Sequence, residues 1–190
     1  MERVAFNALP AALTADMWGH NYLSTPNEIT AERSPERVFG DNENATVYGL
    51  ADQFTHVTPC CTANHNQGWP KLTQFSVQVD LRPASQAIYV VLLLPTSAVL
   101  PIGGGAKVSV ETEYPFGDTV TVRVRATEAV TLHVRVPAWA NHATASLNGA
   151  ARTKVGAGAY HTVQCSAGET VFALALNPDI VVERTEGQLM

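Results

Sequence analysis

Residues 119–136 read Thr-Val-Thr-Val-Arg-Val-Arg-Ala-Thr-Glu-Ala-Val-Thr-Leu-His-Val-Arg-Val, and their period is two. Val120, Val122 and Val124 alternate with Thr121, Arg123 and Arg125. After a short break at Thr127-Glu128, Val130, Leu132, Val134 and Val136 alternate with Thr131, His133 and Arg135. Side chains on an extended chain point to opposite faces in turn, so each run predicts a strand with one buried face and one wet face. β-Branched residues dominate both runs, which suits a pleated, half-buried surface.

The same pattern extends outward from this stretch. Val108 and Val110 alternate with Lys107, Ser109 and Glu111 on one side, and Phe172, Leu174 and Leu176 supply a further strand near the end. Residues Ile88 to Leu94 are continuously apolar, which predicts a strand covered on both faces. Pro115-Phe116-Gly117-Asp118 and Asn148-Gly149 fall between such runs, and the second is the dipeptide favoured in tight hairpins. Short strands at near-regular spacing predict a mainly β fold, an antiparallel β-sandwich over residues 76–190.

Upstream the period is lost. Val4, Phe6, Leu9 and Leu13 fall near helical spacing with Pro10 limiting the helix, and residues 14–59 carry turn chemistry such as Thr25-Pro26-Asn27 and Gly40-Asp41-Asn42. A long non-periodic stretch inside a domain is commonly a set of functional loops. Thr62 is placed to cap a short helix in which Trp69, Leu72 and Phe75 share a face, interrupted by Gly68 and Pro70. Residues 1–75 thus read as a separate, short helical or irregular segment.

Composition narrows the function. The chain has 190 residues, 46% of them hydrophobic, enough for a real core. A formal charge of −5 with only 12 Lys and Arg leaves no basic stripe for phosphates, so nucleic acid is not an expected partner. The start lacks the charged and apolar regions of a leader. The apolar run 87–94, stopped by Pro95, is too short to span a bilayer, so a soluble chain with no membrane partner is expected. The triplet Asn44-Ala45-Thr46 would accept a glycan only in a secreted protein, and nothing in the sequence fixes the compartment.

The chemically loud stretch is Pro59-Cys60-Cys61-Thr62-Ala63-Asn64-His65-Asn66-Gln67-Gly68-Trp69-Pro70-Lys71. Three cysteines are a poor disulfide framework for a chain of this size, so reduced thiols or a metal site are expected. Cys60 and Cys61 can supply at most two zinc ligands, and His20, His56, His65, Glu28 and Asp52 are candidates for the others, without a diagnostic spacing. The alternative is that both are small apolar fillers. The polar residues that follow them weigh against it, because Thr62, Asn64, His65 and Gln67 are expensive to bury without partners. Cys165, between Gln164 and Ser166 in a hairpin-like context, reads as a filler. Trp18 and His20, in Asp16-Met17-Trp18-Gly19-His20-Asn21-Tyr22, and Asn64 are candidate substrate-binding residues, since an aromatic ring, an imidazole and an amide suit a carbohydrate pocket. Trp139 reads as a core residue.

Three segments together resemble one family. They are Asp16 to Tyr22; Cys60-Cys61-Thr62-Ala63-Asn64 running into Gln67-Gly68-Trp69-Pro70-Lys71; and Tyr114-Pro115-Phe116-Gly117 followed by Val134-Arg135-Val136-Pro137-Ala138-Trp139-Ala140 and Leu147-Asn148-Gly149. The family is glycoside hydrolase family 127, the β-L-arabinofuranosidase-like group. The resemblance implies an (α/α)6-barrel catalytic domain followed by β-sandwich domains, with residues 1–75 the end of the barrel and 76–190 the first sandwich. It also implies that Cys60 is a zinc-bound nucleophile and Cys61 a zinc ligand, in a retaining hydrolysis through a thioglycosyl intermediate.

The resemblance further places a third cysteine, a ligand glutamate and the acid/base glutamate upstream of the matching region, and no cysteine precedes Cys60. The 190 residues are therefore expected to be a fragment, inactive alone and weak in holding zinc. Two other readings stand beside this one. A non-catalytic carbohydrate-binding or accessory sandwich needs no nucleophile, and a structural zinc protein needs four protein ligands.

Overall fold

The computed structural model describes residues 1–13, 15–16, 64–82 and 84–182, together with the backbone of 19–21 and 46–48. The chain divides into two compact units, Met1–Gln74 and Phe75–Met190.

In the first unit a π-helical turn, Val4–Ala8, runs directly into a short helix α1 (Leu9–Ala11). Pro10 explains the wide turn. In a regular helix its ring would press on the carbonyl four residues back and leave that carbonyl unpaired, and a π turn opens the space needed. Helix α2 (Gly68–Gln74) begins just before Pro70, where the first backbone N–H groups have no helical partner, so the proline removes nothing the helix uses. Trp69 packs on Phe6 with ring centroids 5.7 Å apart, and Leu72 is buried. Gly68 lies against Leu9, where an added Cβ would come within 2.9 Å of a Leu9 methyl. Phe75, expected on the same buried face, is exposed. Strands β1 (Gly19–Asn21) and β2 (Thr46–Tyr48) pair antiparallel, and Thr62 lies outside the described residues.

The second unit is mainly β, with two sheets enclosing one core. The four-stranded sheet has the order β11-β8-β4-β3, from β3 (Val77–Asp80), β4 (Ala87–Val90), β8 (Val130–Arg135) and β11 (Tyr160–Cys165). The six-stranded sheet has the order β10-β9-β12-β7-β6-β5, from β5 (Thr96–Val99), β6 (Lys107–Thr112), β7 (Thr119–Ala126), β9 (Thr144–Leu147), β10 (Thr153–Lys154) and β12 (Gly168–Ala175). The alternation read in residues 119–136 sets the inner faces. Val120, Val122, Val124, Phe172 and Leu174 from one sheet meet Ile88, Val90, Leu132 and Val134 from the other, all essentially inaccessible to water.

One pairing departs from a purely antiparallel sandwich, because β4 and β8 run parallel. The chain leaves β4, makes β5, β6 and β7 in the opposite sheet and only then returns, and such a crossover brings a strand back in the same direction. The apolar run 88–94 also differs from expectation. Its strand ends at Val90, and Leu92 to Leu94 continue buried without strand geometry, while Tyr89 is half-buried on the outer face.

Positive φ is decisive in two of the turns. Asn148 (φ 50°) and Gly149 (φ 76°) lead from β9 toward β10, in which Ala145 faces Thr153, one residue out from a plain two-residue hairpin. Asn148 also extends the sheet toward β12, its N–H donating to Val171 O and its Oδ1 accepting from Val171 N, both at 2.8 Å. Gly103 and Gly104 (φ 59° and 69°) let the β5–β6 turn close on the β7–β8 turn. Gly103 O accepts from Thr127 N at 3.0 Å, and an added Cβ would meet Val130 at 2.5 Å from Gly103 and the Thr127 hydroxyl from Gly104.

Candidate functional site

The residues that sequence reasoning singled out lie in the first unit. Cys60, Cys61 and Trp18 fall outside the described residues, as do the candidate ligands Glu28, Asp52 and His56. His20 contributes its backbone to β1, opposite Val47. Asn64 is exposed at the start of the turn that leads into α2. Its carbonyl accepts from Gln67 N at 3.1 Å and its Oδ1 from Gln67 Nε2 at 2.9 Å, so both its backbone and its side chain are tied to the turn that leads into α2. His65 is half-buried, with Nε2 3.0 Å from Leu9 O at the start of α1, to which it donates when the proton is on Nε2.

Metal binding can be tested on the donors. No group of three His, Cys, Asp or Glu among the described residues is placed to hold a metal ion. Cys165 sits on β11 facing the sandwich core at 2% exposure, opposite Val130 on the neighbouring strand. Burial pushes its thiol above the ordinary cysteine range, an effect only partly opposed by a hydrogen bond with Thr170. It is the filler the sequence suggested. The soft donors left for a metal are Cys60 and Cys61.

Among the described residues, the outer face of each sheet carries a concave surface. On the six-stranded sheet a cavity of about 390 Å³ is lined by Lys107, Arg123, Arg125 and Glu169 over Ala98 and Val99. Its charges are paired across strands, Arg123 Nε to Glu111 at 3.0 Å and Arg125 Nε to Glu169 at 2.9 Å.

On the four-stranded sheet a cavity of about 560 Å³ is lined by Gln78, Asp80, Arg82, Tyr89 and Tyr160. Here register builds an outward row across four strands, with Thr162 opposite His133, His133 beside Tyr89, and Tyr89 opposite Gln78. Tyr89 and His133 stack with centroids 4.5 Å apart and planes within 16°, and Tyr160 stands edge-on to Tyr89 at 5.6 Å. The Arg82 guanidinium grips both carboxylate oxygens of Asp80, with Nε at 2.9 Å from each. That grip, with Ser85 as a further donor, holds the Asp80 carboxyl well below the usual range.

Sequence reasoning did not find this aromatic row. The alternation of β8 did place His133 outward, but Tyr89 was hidden inside a run read as covered on both faces, and Tyr160 lies in no clear pattern. Trp139 is a second correction. It is 38% exposed and stacks parallel to Tyr114 at 6.5 Å, because β8 ends at Arg135 and the chain turns off the sheet at Pro137, where the alternation that buries Val134 stops.

Comparison with known proteins bears on the second unit most directly. Residues 87–174 match the family described as "Beta-L-arabinofuranosidase, GH127 middle domain". No curated protein sequence matches the chain. Among solved structures, one titled "Glycoside hydrolase" is 17% identical, with a TM-score of 0.62, over 92% of this chain and 28% of its own. A glycoside hydrolase family 127 β-arabinofuranosidase is 18% identical, with a TM-score of 0.52, over 62% of this chain and 21% of its own. The β-L-arabinofuranosidase Ara127N-Se of the same family, from Geobacillus stearothermophilus T6, is 23% identical over 67% of this chain and 20% of its own, with a TM-score of 0.49. The chain therefore spans less than a third of each structure it resembles. The β-rich unit is a sandwich like the middle domain of glycoside hydrolase family 127, as the sequence resemblance implied.

Proposed function

We propose that the chain is the portion of a retaining, β-L-arabinofuranosidase-like glycoside hydrolase that carries the nucleophile and the first sandwich. The observation that supports this reading is the family match over residues 87–174 following, in the same chain, the vicinal pair Cys60-Cys61 and Asn64. Cys60 is the nucleophile and Cys61 the second sulfur. A pair of adjacent thiols suits zinc, and Cys60 and Cys61 would hold it, which keeps sulfur ionised near neutral pH.

The chemistry assigned to this chain is short. Cys60 Sγ attacks the anomeric carbon, the carbon–sulfur bond forms as the bond to the departing oxygen breaks, and that oxygen takes a proton from a general acid. Water then attacks the same carbon, gives up a proton, and the sulfur leaves as thiolate. Trp18, His20 and Asn64 position the sugar.

On this reading the acid/base glutamate and a third sulfur come from residues outside these 190, and Cys165 is enclosed in the sandwich core. The purified chain alone is accordingly inactive on an aryl β-L-arabinofuranoside and takes up less than one equivalent of zinc. Equilibrium dialysis with zinc, repeated on Cys60→Ser and Cys61→Ser, tests the assignment. The expected result is weak uptake by the native chain that both substitutions abolish. Uptake unchanged by either substitution, or hydrolysis that survives Cys60→Ser, would overturn it.

A further inference from the structure

The two outer faces of the sandwich differ in chemistry, and the difference selects a ligand. The cavity on the six-stranded sheet has no aromatic ring among its described lining residues, and it sets Lys107, Arg123, Arg125 and Glu169 around Ala98, Val99 and Val108. The cavity on the four-stranded sheet combines aromatic rings with hydrogen-bonding groups. Tyr89 and His133 stand stacked together, and Tyr160, turned by 90° to Tyr89 and 43% exposed, presents a surface of its own. Gln78 lies at the end of the same row on the edge strand.

Charge decides what such a surface takes. Among the described residues lining the cavity, Asp80 and Arg82 carry charge and pair in a bidentate fork, while Arg135, opposite Tyr160 on the same face, is turned to Val91 O with Nε at 2.6 Å. Charges already engaged in this way offer little to a net anionic or cationic ligand. A polyol gains twice, because the C–H face of a sugar ring packs on an aromatic side chain while its hydroxyls meet an amide, a carboxylate and a guanidinium held in fixed directions. The volume of about 560 Å³ falls within the roughly 300–1,000 Å³ usual for small-molecule sites.

We propose that the outer face of the four-stranded sheet is a non-catalytic binding site for a neutral glycan, with Tyr89 and Tyr160 as stacking platforms and Gln78, Asp80 and Arg82 as hydroxyl partners. The site lies wholly on the sandwich and does not depend on the role assigned to Cys60.

Native affinity gel electrophoresis of the full chain tests it, with arabinan, xylan or polygalacturonate cast in the gel. Arabinan or xylan is expected to retard the chain, and Tyr160→Ala to weaken that retardation about tenfold. Tyr160 is exposed enough for the variant to fold, which its unfolding midpoint checks. Arg125→Ala, on the opposite sheet, is expected to be retarded as much as the native chain, each measured against its own mobility in a gel without polysaccharide. Three results would each overturn the proposal: no retardation by either neutral polysaccharide, retardation by polygalacturonate alone, or equal retardation of native chain and Tyr160→Ala. Loss of retardation in Arg125→Ala would put the site on the wrong sheet. The gel reads binding without hydrolysis, so failure of the nucleophile assignment leaves its outcome unchanged.

Discussion

The sandwich and the Met1–Gln74 unit show opposite relations between pattern and chemistry. In the sandwich, apolar side chains repeat every second residue and nearly every one of them is spent on the core. Its one thiol, Cys165, is enclosed and inert. Among the described residues of the first unit, apolar contacts such as Phe6 on Trp69 and Leu9 on Gly68 join segments some sixty positions apart, while in the sequence thiols, amides and an imidazole crowd a short stretch. A periodic core stabilises a fold and leaves little room for reactive groups, whereas an irregular segment presents them and depends less on its own packing.

Thiol reactivity gives the widest separation between the two regions. Iodoacetamide at neutral pH is expected to modify Cys60 at least about 10³-fold faster than Cys165, since a buried thiol reacts only when its surroundings open. Because the Cys165 pKa is raised, less thiolate exists at any given pH, and its labelling profile shifts to higher pH. Peptide mass spectrometry after timed alkylation reads both sites, and equal rates would erase the distinction.

Core packing comes next. Phe172, 1% exposed at the centre of β12, stacks on His161 with centroids 5.4 Å apart, and Phe172→Ala is expected to destabilise the chain by about 3–5 kcal/mol in urea unfolding. A loss under about 1 kcal/mol would mean that the periodic core is not what holds the sandwich.

A smaller effect tests the turns. Gly104→Ala forces a Cβ into left-handed backbone and onto the Thr127 hydroxyl, at an expected cost of at least about 1–2 kcal/mol. The Gly105 position, also at positive φ but with open space around it, offers the matched control that isolates the backbone part.

The smallest change is expected at the surface. The side chains of Arg123 and Glu111 are 43% and 54% exposed, so Arg123→Ala should alter stability by no more than about 1 kcal/mol and by less still in high salt. A larger loss would show that the outer ladder of charges shares in the stability credited to the core.

Much of the fold was readable before any coordinates. Alternation at Val108, Val120 to Val124 and Val130 to Val136 located β6, β7 and β8 and named their inward faces, because burial of one face imposes a period that local sequence must obey. The filler reading of Cys165 rested on the same reasoning. What escaped had non-local causes. Residues 88–94 are apolar throughout, so nothing in them marks where β4 stops or that Tyr89 turns outward. The position of Trp139 depends on a chain direction set beyond Pro137. The sulfur pair stands out by residue type alone, whereas the Asn64 side chain accepts a local hydrogen bond from Gln67 that the sequence reading did not foresee.

Residue order by itself determined which side chains face inward on β6, β7 and β8 and where the Asn148-Gly149 turn lies, since each follows from backbone geometry over a few residues, and it set the two adjacent cysteines in one short polar stretch. Only the tertiary structure decided that β4 lies parallel to β8, that Tyr89, His133 and Tyr160 gather on one outer face, and that Gly103 and Gly104 must be small. Those outcomes join residues tens of positions apart, and their energies arise from contacts that exist only once both sheets have formed.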